Sequence, residues 1–271
     1  MLIVCHPVLY AAVVILRMVD RKLSEIAYSI MESFHDSGYT EIFPPAFLKS
    51  DKVDGFRFIY RNKIFVLEPD ITLRLMNRHI TENSKIYYIS QQSDEYLNEF
   101  LKAGSEIMGG DEDETNIEIL RMAIKVLDNL GIKNYNIDIS LTGIFDSYVR
   151  KKEGQRLIRA VKNRNYPQIQ DMEIDDKDKL LQIMDTRTRK SGIDKLDSII
   201  ERIGDPRVLI DLGTVRQPEY YSGLIFEIYG KQEFLGGGGN YIMKNLRGCG
   251  FSLDLQVLSK LYHGSHEKVE K

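Results

Sequence analysis

The feature that most constrains this chain is a change of period along it. Strand-like alternation runs through residues 39–43, 56–60, 63–67, 85–90, 100–108 and 135–139, and returns at 207–212, 223–229 and 233–234. Between these blocks, residues 143–203 are charged and helical in pattern, with Pro167 as a break and no strand alternation. Strands that follow one another as hairpins, without a regular strand–helix–strand rhythm, predict an α+β fold, an antiparallel sheet flanked by helices rather than a doubly wound parallel one. The expected division is a core in two parts, 1–142 and 207–262, a helical insertion at 143–206, and a flexible charged tail at 263–271.

Local signals fill in that frame. Leu23, Ile26, Ala27, Ile30, Met31 and Phe34 recur at helical spacing, so residues 20–37 read as an amphipathic helix with Asp20 at its cap and Gly38 at its stop. Pro44 and Pro45 end the strand before them. Arg61-Asn62 forms the turn of a hairpin. Residues 70–80 read as a short helix with Leu73, Met76 and Ile80 inward. Residues 112–130 read as a long one with Ile117, Leu120, Ala123, Ile124 and Leu127 on one stripe and Gly131 closing it. A last amphipathic helix is expected over residues 251–262.

Composition narrows the function classes. The 271 residues carry 37 basic and 40 acidic side chains, a net charge of -3, so no global positive field exists to draw in a phosphate backbone. The basic runs Arg150-Lys151-Lys152 and Arg187-Thr188-Arg189-Lys190 read as solvated helix faces. Two cysteines, Cys5 and Cys249, suit a reducing cytosol, and five scattered histidines without CxxC or HExxH spacing predict no metal site. The apolar residues 1–16 fall short of the roughly 20 needed to cross a bilayer and lack a signal-peptide pattern. They are a buried strand, a buried helix, or the product of a mis-assigned start. A cytoplasmic protein with no membrane segment is expected.

Several residues stand out chemically. Asp70 and Thr72 place a carboxylate and a hydroxyl at a helix start, where they either cap the helix or accept from a ligand ammonium. Glu106 lies in an apolar strand, and a buried carboxylate needs a partner, for which an imidazole N–H is suitable. Tyr220 and Tyr221 point to opposite faces of an extended segment, so one can enter a cleft while the other packs. The glycines at 236–239 either let backbone approach a ligand or make a tight turn.

These residues fall in segments that resemble class II aminoacyl-tRNA synthetases, and the histidyl-tRNA synthetase family in particular, over roughly residues 20–260. Gly38 through Pro45 looks like motif 1, a helix, strand and proline at a dimer interface. Leu67-Glu68-Pro69-Asp70-Ile71-Thr72 resembles the segment that binds the amino group of histidine. Tyr87-Tyr88-Ile89 through Gly109 resembles motif 2, and Gly250-Phe251-Ser252-Leu253 leads into motif 3. Arg216-Gln217-Pro218-Glu219-Tyr220-Tyr221-Ser222-Gly223 is similar to the histidine-specific signature, and Gly237-Gly238-Gly239-Asn240-Tyr241 continues it. The resemblance implies that Asp70 and Thr72 take a ligand amino group, Glu106, Tyr221 and Tyr241 its imidazole, and Arg216 its carboxylate.

The departures from the family pattern point away from catalysis. Where the motif 2 arginine would fall, the chain has Gln92-Ser93-Asp94-Glu95; Val257 stands at the motif 3 arginine, and Glu68 replaces the basic residue before Pro69. Acidic and apolar groups there do not hold a triphosphate. The anticodon-binding domain is also expected to be missing. Both losses are shared with the regulatory subunits of short-form ATP phosphoribosyltransferase, which implies no catalytic residue, no cofactor and no tRNA. The resemblance further implies self-association as a dimer, a catalytic ATP phosphoribosyltransferase subunit as partner in a hetero-octamer, and histidine as feedback ligand. A ligand-free scaffold and a truncated amino-acid-activating ligase are the competing readings. Lys102 stands where a glutamine is usual: it binds the ligand carboxylate, turns to solvent, or marks weakened recognition. Asn240 and Ile242 also replace the usual Arg and Asp.

Overall fold

The computed structural model describes residues 21–48, 56–68, 70–76, 82–93, 98–148, 154–216, 220–243 and 245–263. The apolar residues 1–16, Asp20, the basic run 150–152 and the tail beyond 263 lie outside them, as do Cys5, His6, His79, His266, Asp94 and Glu95.

Helix α1 (Arg21–His35) buries Ile26, Ile30 and Phe34. Strands β1 (Thr40–Glu41) and β2 (Phe47–Leu48) follow, then the hairpin β3 (Phe56–Tyr60) and β4 (Lys63–Leu67). Its turn residues Arg61 and Asn62 both have positive φ, 48° and 56°, the twist a two-residue hairpin turn requires. Helix α2 (Ile71–Met76) turns Ile71, Arg74 and Leu75 inward, whereas Leu73, expected there, is only half-buried. Long strands β5 (Lys85–Ser93) and β6 (Glu99–Met108) precede helix α3 (Glu112–Asn129), whose N-cap Asp111 accepts from the amides of Asp113 and Glu114. Strand β7 (Tyr135–Leu141) leads to a 3-10 turn, Asp146–Tyr148.

The segment expected to be wholly helical contains α4 (Gly154–Lys162), α5 (Tyr166–Gln170), α6 (Lys177–Met184) and α7 (Asp194–Ile203), but also a two-residue strand β8 (Arg187–Thr188). Pro167 opens α5 instead of breaking a helix, because a first-turn residue has no amide to lose. The run at 187–190 is not a solvated helix face: Arg187 pairs with Asp138 at 2.8 Å, and Arg189 donates to the carbonyls of Asp205 and Val208. Helices α4–α6 share a small core with Phe145 and Val215, while Leu196, Ile199 and Ile200 of α7 join the main core.

The last four elements are β9 (Val208–Asp211), β10 (Tyr221–Gly230), β11 (Glu233–Met243) and β12 (Leu246–Asp254), followed by α8 (Leu255–Leu261). The glycine run is the middle of β11 and not a turn, and residues 251–254 extend a strand instead of starting the last helix. The nine-stranded sheet has the order β1-β5-β6-β12-β11-β10-β7-β9-β8. It is antiparallel except for the parallel pairs β1–β5 and β7–β9. A separate three-stranded sheet, β2-β4-β3, stands beside it.

Side-chain alternation gives the large sheet two unlike faces. One face carries Tyr87, Ala103, Ile107, Cys249, Phe251, Leu253, Phe226, Ile228, Ile137, Ile139 and Ile210 and is covered by α1, α3, α7 and α8. Each fully buried aliphatic or aromatic side chain there contributes about 1.5–3 kcal/mol.

Candidate functional site

The opposite face is assembled from glycines, tyrosines and charged groups. Strand register sets Glu106 across from Gly250, Gly250 across from Gly239, and Tyr241 across from both Gly248 and Tyr221. The glycines leave room for specific side chains. A Cβ at Gly250 would collide with the Glu106 carboxylate, one at Gly248 with the Tyr241 ring, and one at Gly237 with the Arg216 guanidinium. This steric need explains why a strand can be so rich in a residue that weakens strands.

Glu106 is buried, with Oε1 accepting from the Thr72 hydroxyl at 3.0 Å and Oε2 making no hydrogen bond. Burial pushes its pKa up to about 8, and the nearby Asp70 charge adds to that, while the Tyr241 and Thr72 hydroxyls pull the other way. Of the two roles left open by the sequence, Asp70 takes that of helix cap. Its Oδ1 caps α2 by accepting from the Leu73 amide at 3.0 Å, and its Oδ2 accepts from the Tyr220 hydroxyl at 2.6 Å. The buried Arg74 fixes α2 over β5, donating to the carbonyls of Glu68 at 2.5 Å and Gln91 at 2.8 Å.

Tyr220, Tyr221 and Tyr241 form an aromatic wall: ring centroids are 5.0 Å apart for the first pair and 6.2 Å for Tyr220 and Tyr241. Burial pushes all three phenols up, so each remains a neutral hydrogen-bond donor. Tyr241 directs its hydroxyl to Sδ of Met108 at 3.2 Å. The Arg216 guanidinium lies 5.3 Å from the Tyr221 ring centre. Its Nη1 donates to the Phe226 carbonyl at 3.4 Å and sits 3.8 Å from Glu227, and its buried Nε makes no hydrogen bond. The structure therefore brings Asp70, Thr72, Glu106, Arg216, Tyr221 and Tyr241 onto one face of the sheet.

The position of Tyr221 depends on an irregularity in β10. Register shifts between Tyr221 and Ile225, and Gly223 within that stretch has φ +88°, a conformation that favours glycine. Two groups pin the bulge. Thr142 accepts from the Gly223 amide at 2.8 Å, and Asn240 accepts from the Leu224 amide at 2.8 Å while donating to Asn116 at 2.7 Å. The Asn240 that departs from the family pattern thus has a partner set of its own.

Lys102 does not turn to solvent. Its Nζ lies 2.9 Å from Asp254 Oδ2, and the other oxygen of Asp254 caps α8 through the Val257 amide at 3.0 Å. Val257 itself packs against the main core. Tyr220 and Tyr221, expected on opposite faces, have their rings 5.0 Å apart in the same wall, and sequence reasoning missed Tyr88 and Glu227. Tyr88 is the neighbour that a Cβ at Gly104 would strike, so glycines opposite tyrosines were the usable signal. Among the described residues, no group of three or more His, Cys, Asp or Glu is arranged to hold a metal, and no helix is long and apolar enough to cross a membrane.

A layered sheet with one helix-covered face and one glycine-rich face of opposed charges is the architecture of a class II synthetase core. A family model described as histidyl-tRNA synthetase matches residues 15–186 and 173–258, and the chain belongs to that family. The chain is also 25% identical to the ATP phosphoribosyltransferase regulatory subunit of Caldanaerobacter subterraneus subsp. tengcongensis, over 83% of this chain and 74% of that protein. It spans 66% to 74% of the length of such relatives. Its fold matches an ATP phosphoribosyltransferase regulatory subunit/histidyl-tRNA synthetase from Bacillus halodurans C, with TM-score 0.75, 21% identity, and coverage of 90% of this chain and 80% of that one. It likewise matches the ATP phosphoribosyl transferase (HisG:HisZ) complex from Thermotoga maritima, with TM-score 0.73, 20% identity and coverage of 87% and 98%.

Proposed function

We propose that this chain is a non-catalytic regulatory subunit of a short-form ATP phosphoribosyltransferase, working in the cytoplasm and binding histidine as its feedback ligand. The names carried by its relatives support that reading. The observation that carries it is a pair of incompletely satisfied groups of opposite sense on one glycine-lined face. Glu106 has a buried oxygen without a hydrogen bond, and Arg216 has a buried Nε in the same state. Such groups are costly to leave unmatched, and a ligand with a basic ring and a carboxylate matches both. In this reading Asp70 and Thr72 hold the ligand amino group, Glu106, Tyr221 and Tyr241 its imidazole, and Arg216 its carboxylate, displacing Glu227.

Adenylation is not expected of this site. Lys102 is matched by Asp254, and Val257 packs against the core, so these positions offer no cation to a triphosphate. ATP–pyrophosphate exchange should stay at background, and no tRNA is part of the proposed assembly. Self-association as a dimer and a hetero-octamer with the catalytic subunit complete the proposal. Calorimetry with L-histidine on the chain alone and with a short catalytic subunit, together with recovery of phosphoribosyltransferase activity, tests it. A chain that neither binds histidine nor restores activity would sink it.

A further inference from the structure

We propose that Glu106 carries a proton while the site is empty and passes it to the imidazole of the incoming ligand, so that histidine is held as an imidazolium–carboxylate pair. This rests on the reading of the site as histidine-binding. The geometry around the carboxyl is what demands it. Oε1 accepts from Thr72, Oε2 has no hydrogen bond, and among the described residues Glu106 makes no ion pair.

The groups that face it come from every neighbouring element. They are Asp70 and Thr72 at the start of α2, Tyr88 on β5, Tyr220 and Tyr221 at the start of β10 and Tyr241 on β11; β12 sets Gly250 opposite Glu106, with its Cys249 thiol on the helix-covered side. The phenols and the thiol are all pushed up and stay neutral, which leaves Asp70 as the formal charge nearby, and it is negative. The cations lie one layer out. Arg216 is beyond the Tyr221 ring and faces Glu227, and Arg74 is committed to backbone carbonyls. A desolvated carboxylate beside a like charge is the unfavourable form, so the neutral acid prevails. The upward shift of Glu106 to about 8 agrees.

A neutral imidazole then meets a carboxylic acid. The Oε2–H bond breaks, an N–H bond forms at the ring nitrogen that lacked hydrogen, and no proton is exchanged with solvent. For separated groups the transfer is disfavoured about 30-fold, given an imidazole pKa near 6.5. The opposite charges it creates in a water-poor site, with Asp70 beside the new cation, reverse that order. Glu106 then selects for a side chain with a basic nitrogen, which hydrocarbon and hydroxyl side chains lack.

Two measurements on the full chain test this. Carboxyl carbon NMR of glutamate-labelled, ligand-free protein should show one resonance that stays protonated through neutrality, titrates around pH 8 and is absent from Glu106→Gln. If every glutamate titrates near 4 to 5, the proposal is overturned. Calorimetry with L-histidine in buffers of different ionisation enthalpy should show proton release at pH 6.0 and uptake at pH 8.5. Affinity should fall toward tenfold per pH unit above about 8. Glu106→Gln removes the difference between the two pH values that Glu106 supplies. Histidine binding with the same proton counts in both proteins overturns the transfer alone. A late-titrating carboxyl with no histidine heat at any pH overturns the histidine reading, and the transfer with it.

Discussion

The two faces of the nine-stranded sheet are built from the same strands and follow opposite rules. On the helix-covered face most positions are filled by side chains, Gly236 and Gly238 excepted, and Phe226, Phe251, Ile137 and Ile139 are almost wholly buried among other hydrocarbons. On the other face the strands offer Gly104, Gly237, Gly248 and Gly250, and the space is taken by Tyr88, Arg216, Tyr241 and Glu106 reaching across from neighbouring strands or loops. The first face stabilises by removing apolar area from water. The second leaves polar groups dry and incompletely matched, which costs stability and prepares a site. The difference teaches that the alternation of a strand specifies which face a residue joins, while the facing strand decides whether it is there to fill space or to leave it.

The sharpest way to break the comparison is pH, because among the described residues only the site face holds a buried carboxyl with so high a pKa. Glu106 goes from about 4.5 when unfolded to about 8 in the fold, a raised value. Its contribution is therefore fully present below the unfolded value and is lost as pH rises through the folded one. Stability should fall by up to about 1.4 kcal/mol per pH unit across that window. Urea titrations between pH 5 and 8 should show this decline, and Glu106→Gln should flatten it, with a difference on the order of 4 kcal/mol at pH 8. Parallel pH profiles for the two proteins would show that the site face does not carry this cost.

Substitutions on each face sharpen the contrast. Phe226→Ala leaves a cavity in the helix-covered core and should cost about 3–5 kcal/mol by chemical denaturation. Histidine affinity, measured where the protein remains folded, should change little. Gly250→Ala has the reverse signature. Its added methyl would collide with the Glu106 carboxylate and the Ser105 carbonyl, for about 1–3 kcal/mol of stability, and histidine binding should be lost. If Gly250→Ala binds histidine normally, the clearance provided by that glycine has no role in the site.

The helix-covered face was largely legible in the sequence and the site face was legible only in part. Ile26, Ile30 and Phe34 on α1, and Ile117, Leu120, Ala123 and Leu127 on α3, announce themselves by spacing and are buried as that spacing predicts. The hairpin at Arg61-Asn62 was equally plain, being a local event. Strand β11 was not, since four consecutive glycines carry no alternation and only the close approach of β10 and β12 makes them a strand. Residues 251–254 were mistaken for helix because the apolar pattern runs on without a visible stop; the N-cap Asp254 was the overlooked boundary. The destinations of Lys102 and Tyr220 depend on Asp254 and Asp70, which are 152 and 150 residues away along the chain. No local pattern encodes contacts of that separation.

Asn240 gives the smallest effect and the most direct test of whether the faces are independent. Its side chain lies on the helix-covered side, bonded to Asn116, yet it holds the Leu224 amide inside the bulge that precedes the regular part of β10. Asn240→Ala removes that acceptor and strands a buried amide, for about 1–2 kcal/mol. A strand freed of its bulge regains regular register, and a one-residue slip turns Tyr221 away from Arg216 and Tyr241. The expected result is therefore a modest loss in denaturation midpoint joined to a disproportionate loss of histidine affinity, at least tenfold. Asn240→Asp keeps the acceptor for Leu224 and should recover affinity more than it recovers stability. Equal and small losses in both measurements would mean that the bulge is held by Thr142 and Gly223 alone, and that the site face takes no instruction from the core behind it.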